Sequence, residues 1–150
     1  MSLFPVFSPL KKAVATLNFV GFTASGASGS TLENTATFSY SSISVGSNEG
    51  ADRNILVASV TSGGGAGTDG VSGLTCGGEA GTKVFEELAT DHQQIVVFKY
   101  EIASGTSKDI EVTYQRTSKR CGLYVYEGTN LNFKSSVVET NGSGAGSLTH

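Results

Sequence analysis

The feature that most constrains this chain is a two-residue beat of polarity that never lengthens into a helical one. In Thr35-Ala36-Thr37-Phe38-Ser39-Tyr40-Ser41, small polar residues alternate with apolar or aromatic ones. That is the period of a half-buried β-strand. Ile110-Glu111-Val112-Thr113-Tyr114 repeats the beat. Gln94 to Ile102 is the strongest strand signal, and Ile55-Leu56-Val57-Ala58-Ser59-Val60 is almost continuously apolar, as a central strand is. Val14 to Phe22, Val71 to Cys76, Lys83 to Leu88 and Leu123 to Glu127 complete the series, with Ile43 and Val45 continuing the strand at Thr35. Turn residues separate them, at Asn48-Glu49-Gly50, at Ser62 to Gly70 and at Ser104-Gly105-Thr106-Ser107. No window of about eleven residues carries an apolar stripe at helical spacing. The best helical candidate, Glu86-Glu87-Leu88-Ala89, is one turn at most. Many short strands with close turn signals predict an antiparallel β-sandwich or barrel.

Composition narrows the class. The 150 residues suit one domain. A hydrophobic share of 38% argues against wholesale disorder, and a charged share of only 15% argues against a coiled coil. A net charge of -3 with no basic block argues against electrostatic nucleic-acid binding. No run of about 18 apolar residues is present to span a membrane as a helix. Pro5 and Pro9 interrupt the apolar start, and Lys11 and Lys12 follow it, so it does not read as a secretory signal.

Three regions are expected: an extended arm over residues 1–12, a sandwich over 13–140, and a Gly/Ser-rich tail or further strand over 141–150. Phe4, Val6, Phe7 and Leu10 make the arm apolar, while its prolines oppose helix and central strand. Such an arm needs cover, either on its own domain or on a neighbouring subunit. Cys76 and Cys121 read as two buried small hydrophobes on strands. A disulfide is disfavoured in a cytoplasm, and no Cys-His cluster suits zinc.

At Arg53-Asn54-Ile55-Leu56-Val57-Ala58-Ser59-Val60 a longer pattern begins. Val71 to Leu74 follows, then Thr75-Cys76-Gly77-Gly78, Thr82-Lys83-Val84, Ile95 to Tyr100 and, after Gly105, Ile110 to Tyr114. This order resembles the jelly-roll-like, Gly/Ser/Thr-rich β-sandwich modules of phage virion proteins and bacterial surface proteins, over roughly residues 14 to 128. The resemblance implies a jelly-roll-like sandwich and a structural role in a phage particle, decorating or extending a capsid or tail. The virion, assembled in the host cytoplasm, is then the expected location. Other virion proteins and further copies of the chain, as a homo-oligomer or symmetric array, are the expected partners.

Catalytic readings are weak. Nucleophilic catalysis needs a base beside the nucleophile, and the histidines are His92, by a turn, and the terminal His150. No Gly-x-Ser-x-Gly stands in the chain. Glu86 and Glu87 are adjacent and so point to opposite faces of a strand. Glu101 and Glu111 are the one pair that a hairpin would bring together for glycoside hydrolysis, although a solvated sheet face explains them better. Gly63-Gly64-Gly65-Ala66-Gly67 lacks the Lys-Ser/Thr of a phosphate loop. Glu49, Asp52 and Asp69 lie in loops but match no calcium spacing. No enzyme, cofactor or metal is expected. Arg116, Lys119 and Arg120 form the densest basic patch, read as a solvated loop or as an ionic contact with an acidic neighbour. The alternative function, a carbohydrate-binding or host-adhesion module, would use Tyr114, Tyr124 and Tyr126 against a glycan.

Overall fold

A computed structural model describes residues 14–25, 35–62, 70–88 and 93–131. The expected arm with Phe4, Val6, Phe7 and Leu10, the tail, Asp69, His92 and His150 lie outside them. Nine strands are formed: β1 (Thr16–Ser25), β2 (Thr35–Ser44), β3 (Arg53–Ser62), β4 (Val71–Cys76), β5 (Glu79–Ala80), β6 (Thr82–Leu88), β7 (Gln93–Tyr100), β8 (Ser107–Ser118) and β9 (Cys121–Thr129). There is no helix among the described residues, hence none long and apolar enough to cross a membrane. The one-turn candidate at Glu86 is the end of β6.

All pairings are antiparallel. One sheet has the order β1-β9-β3-β7-β6 and the other β2-β8-β4-β5. The chain therefore changes sheet at almost every connection, and each sheet interleaves early strands with late ones. This is the jelly-roll arrangement, with the β6–β7 hairpin adding a strand to the larger sheet. The apolar run at Ile55 does become the central strand, with β9 on one side and β7 on the other.

The alternation decides what the sandwich encloses. Phe38 and Tyr40 of β2, Ile110, Val112 and Tyr114 of β8, and Leu74 and Cys76 of β4 face Ile55 and Val57 of β3, Val96 and Phe98 of β7, and Leu123 and Val125 of β9. Each such side chain contributes about 1.5–3 kcal/mol when fully withdrawn from water. The tyrosine and serine hydroxyls that enter the core are satisfied there, whereas Oε1 of the buried Gln94 has no partner. Tyr40 donates to the Cys121 carbonyl at 2.7 Å, and Tyr100 donates to the Leu74 carbonyl at 2.8 Å. The Ser59 and Tyr114 hydroxyls meet at 2.8 Å. Cys76 and Cys121 are buried and unbridged, as two small hydrophobes.

One end of the sandwich is closed by a charge. Arg53 is 1% exposed, although it opens a strand. Its Nε donates to Glu127 Oε1 at 2.8 Å, its Nη1 to the Gly105 carbonyl at 2.8 Å, and its Nη2 to the Val45 carbonyl at 2.9 Å. The carboxylate also accepts from the backbone and side chain of Asn48. Gly46 has a φ of +94°, and a Cβ there would run into the Glu127 carboxylate. Only glycine combines that backbone with that approach. The residues after β2, the start of β3, the segment before β8 and the end of β9 are thus held by one ion pair.

Candidate interaction surface

The larger sheet has an outer face that is unusually apolar. Residues alternate across a sheet, so the registers place side chains in rows. One row holds Phe19, Tyr126, Leu56, Lys99 and Thr82. The next holds Phe22, Tyr124, Ala58, Val97 and Phe85, and a third holds Ala24, Gly122, Val60, Ile95 and Glu87. Leu17 and Val14, 53% and 76% exposed, extend the apolar surface toward the start of β1. Phe19 is 58% exposed and Phe22 55%. Phe19 meets Tyr126 with ring centroids 5.3 Å apart, and Phe22 meets Tyr124 at 4.6 Å. Such cross-strand aromatic pairs brace a sheet. They also leave a contiguous apolar patch facing water. The smaller sheet covers the inner face; on the outer one Leu131 lies over Gly128 and Leu56 is 8% exposed, while Phe19, Phe22 and Tyr124 remain open. Patches beyond a few hundred Å² on a soluble domain mark interaction sites.

A local irregularity in β1 builds this patch. Phe19 and Phe22 are three apart and would face opposite ways on a regular strand. The register shifts between Phe19 and Gly21, so Val20 is the extra residue of a bulge. Val20 turns toward the core, and both phenylalanines stand outside. Sequence reasoning passed over both. The available signal was the Phe-Val-Gly-Phe spacing, which fits neither a strict beat of two nor a helix.

The tyrosines expected on one glycan surface are separated. Tyr124 and Tyr126 are neighbours on the outer face of β9, whereas Tyr114 is 3% exposed in the core. Its ring lies edge-on to Phe38 at 5.9 Å, and its hydroxyl donates to Cys121 Sγ at 3.2 Å. Tyr114 is therefore a core residue, corrected by its inward place on β8. The basic segment is also not a loop connection. β8 runs on to Ser118, so Arg116 is an exposed strand residue, and only Lys119 and Arg120 make the exposed turn to β9.

Glu101 and Glu111 do not meet across a hairpin, because β7 and β8 belong to different sheets. Glu101 accepts from Lys99 Nζ at 2.7 Å, and that hydrogen bond, with the charge behind it, holds its carboxyl below the usual range. Glu111 accepts from Ser39 Oγ at 3.3 Å on the outside of the smaller sheet. Glu86 takes Lys83 Nζ at 2.7 Å and Gln94 Nε2 at 2.8 Å. Among the described residues, no three His, Cys, Asp or Glu side chains gather as metal ligands.

A cleft of about 620 Å³ opens between Cys76 and Gly77, the end of β7, and Lys108. Its groups are already committed. Lys99 is paired to Glu101, and the Tyr100 hydroxyl is spent on Leu74. Burial pushes the Tyr100 phenol up, and it pushes the Cys76 thiol up to about 11 despite the opposing charges of Lys108 and Arg53. A thiol in that state is a poor nucleophile. Near pH 8, alkylation of native Cys76 is expected to run about 100-fold slower than that of the unfolded chain from ionisation alone. Peptide mapping after iodoacetamide treatment, with and without urea, checks this; equal labelling in both states would contradict it. The same shift makes stability decline as pH rises from the ordinary thiol value of 9.0 through about 11, where only the unfolded chain ionises readily.

No protein-family model, curated protein or solved structure matches the chain.

Proposed function

We propose that this chain is a non-enzymatic structural protein of a phage particle, a jelly-roll sandwich that decorates or extends the capsid or tail. The observation that carries the reading is the exposed aromatic face of the larger sheet. A domain with a complete core of its own still presents Phe19, Phe22 and Tyr124 to water. Burying such residues against a neighbour supplies docking energy at little conformational cost. The resemblance over residues 14 to 128 supports the phage setting, and the jelly-roll order agrees with it. The apolar arm with Phe4, Val6, Phe7 and Leu10 and the edge strands β1 and β6 add further contacts, and Arg116, Lys119 and Arg120 supply the ionic ones. In this reading the partners are other virion subunits, the location is the virion, and no nucleic acid or membrane is engaged.

The test replaces Phe22 and Tyr124 together by serine in the full chain. Circular dichroism and melting are expected to stay close to those of the parent, since neither residue belongs to the core. Incorporation into purified particles, read by quantitative mass spectrometry, is expected to fall at least tenfold. Normal incorporation would sink the proposal.

The aromatic face also favours a second reading, a glycan-adhesion module. Tyr124 and Tyr126 stand side by side on a broad sheet, where sugar rings can stack. Binding on a glycan array that disappears with Tyr124→Ala and Tyr126→Ala would select it over the structural role.

A further inference from the structure

We infer that the N-terminal arm of this chain pairs with the open edge of its own β1 as an antiparallel strand, Phe4, Val6, Ser8 and Leu10 turned toward β1 and Pro5 and Pro9 turned away. An exposed sheet edge is a template for strand pairing, and folded domains guard theirs with charges, bulges or shortness. The two sheets end in β6, β5, β2 and β1. β6 carries Lys83, Glu86 and Glu87. β5 is two residues long. β2 is broken by two register shifts, and side chains occupy some of its backbone donors. The Thr37 N–H donates to Thr35 Oγ1 at 3.2 Å, and the Ser42 N–H to Asp109 Oδ1 at 2.8 Å. β1 has no such guard beyond the bulge at Val20. Its 10 residues include no charge and no proline, and its pairing with β9 is regular on both sides of the bulge. Among the described residues, no strand lies on its other side.

The prolines of the arm fit this edge in one phase only. Successive residues of a strand turn their N–H and C=O to opposite sides, so alternate residues serve the same neighbour. Pro5 and Pro9 stand four apart and so share a side. A proline is tolerated in a strand where its missing N–H faces away from the partner. With both prolines outward, Phe4, Val6, Ser8 and Leu10 each offer β1 a donor and an acceptor. Prolines an odd number of residues apart would have broken the pairing in either phase. The outward prolines also blunt the new edge, which supplies the guard that β1 lacks. The connection is suitable too. The described chain starts at Val14, just before β1, and the Val14 carbonyl accepts from Asn130 Nδ2 at 3.3 Å. Lys11 to Ala15 leaves about five residues for the reversal, a common hairpin loop that needs no glycine when built on a type I turn. A strand tethered so closely stands at an effective concentration of about millimolar, ahead of strands on separate molecules. The contacts proposed above for the arm and the β1 edge are then made by one hairpin, and the aromatic face beside it stays open.

The test is residue-level amide hydrogen exchange by NMR on the full chain, with melting curves to confirm that the sandwich is intact. The amides of Phe4, Val6, Ser8 and Leu10 are expected to exchange at least about tenfold more slowly than those of Phe7 and Lys11. Val6→Pro sets a missing N–H against β1. It is expected to remove the arm's protection, together with that of the β1 amides turned from β9. Phe7→Pro sets one on the side of the native prolines, and protection is expected to stay within about threefold of the parent. An unprotected arm overturns the inference. So does protection without alternation, or an equal loss in the two variants. Protected β1 amides beside an unprotected arm give the edge to another segment and overturn it as well. Protection that grows between about 0.05 and 1 mM protein assigns the strand to another copy, and the pairing within one chain fails. None of these readouts involves particle incorporation, so the phage reading stands or falls separately.

Discussion

Replacing Arg53 by leucine is expected to remove about 3–5 kcal/mol of folding stability, the usual cost of breaking a buried ion pair from one side. A domain of this kind has only about 5–15 kcal/mol in total. The reason lies in what the guanidinium leaves behind. Glu127, 4% exposed, would keep a charge with only Asn48 to answer it. The Val45 and Gly105 carbonyls would lose their donors. Arg53→Lys is expected to recover only part of the loss, because an ammonium cannot reproduce the planar fork that serves Glu127 and the Val45, Gly46 and Gly105 carbonyls at once. Urea denaturation checks this: the midpoint should fall with an unchanged slope. A shift below about 1 kcal/mol, typical of an exposed pair, would show that the pair is not the clasp described.

Phe38→Ala is expected to cost about 3–5 kcal/mol, from lost burial and from the cavity left beside Tyr114. Phe38 is 2% exposed and braced edge-on by that ring. Phe22→Ala removes the same atoms from the outer face, and it is expected to cost under about 1 kcal/mol in the isolated monomer, as exposed sites do. Parallel melts of the two variants compare them directly. Similar large losses would mean that the outer face is covered within one chain, and the docking proposal would have to go.

The two phenylalanines show where sequence reading succeeds and where it stops. Phe38 sits in an unbroken alternation, so its inward direction could be read from its neighbours alone. Phe22 follows a bulge, and a single extra residue exchanges the faces of everything beyond it. Tyr114 was legible as a strand residue, and Tyr124 as another, yet one is core and one is surface. Their alternation shows that successive residues face opposite ways; which face meets the other sheet depends on pairing with distant strands. The same limit explains Glu101 and Glu111. Glu101 directly follows β7 and Glu111 lies on β8; those strands are consecutive in the chain, but the jelly-roll order sends them to different sheets.

The strand content, the central place of the Ile55 strand, the burial of the two cysteines and the sandwich class are all readable from the amino-acid order. These follow from local polarity, turn chemistry and the need to cover apolar faces. That Arg53 is buried on Glu127, that Gly46 must be glycine, and that an aromatic patch faces outward emerges only from the folded sandwich. Each of those depends on residues far apart in the chain, Arg53 and Glu127 by 74 positions. Local patterning cannot encode such a meeting, because it is the closing of the sandwich that removes water from the pair.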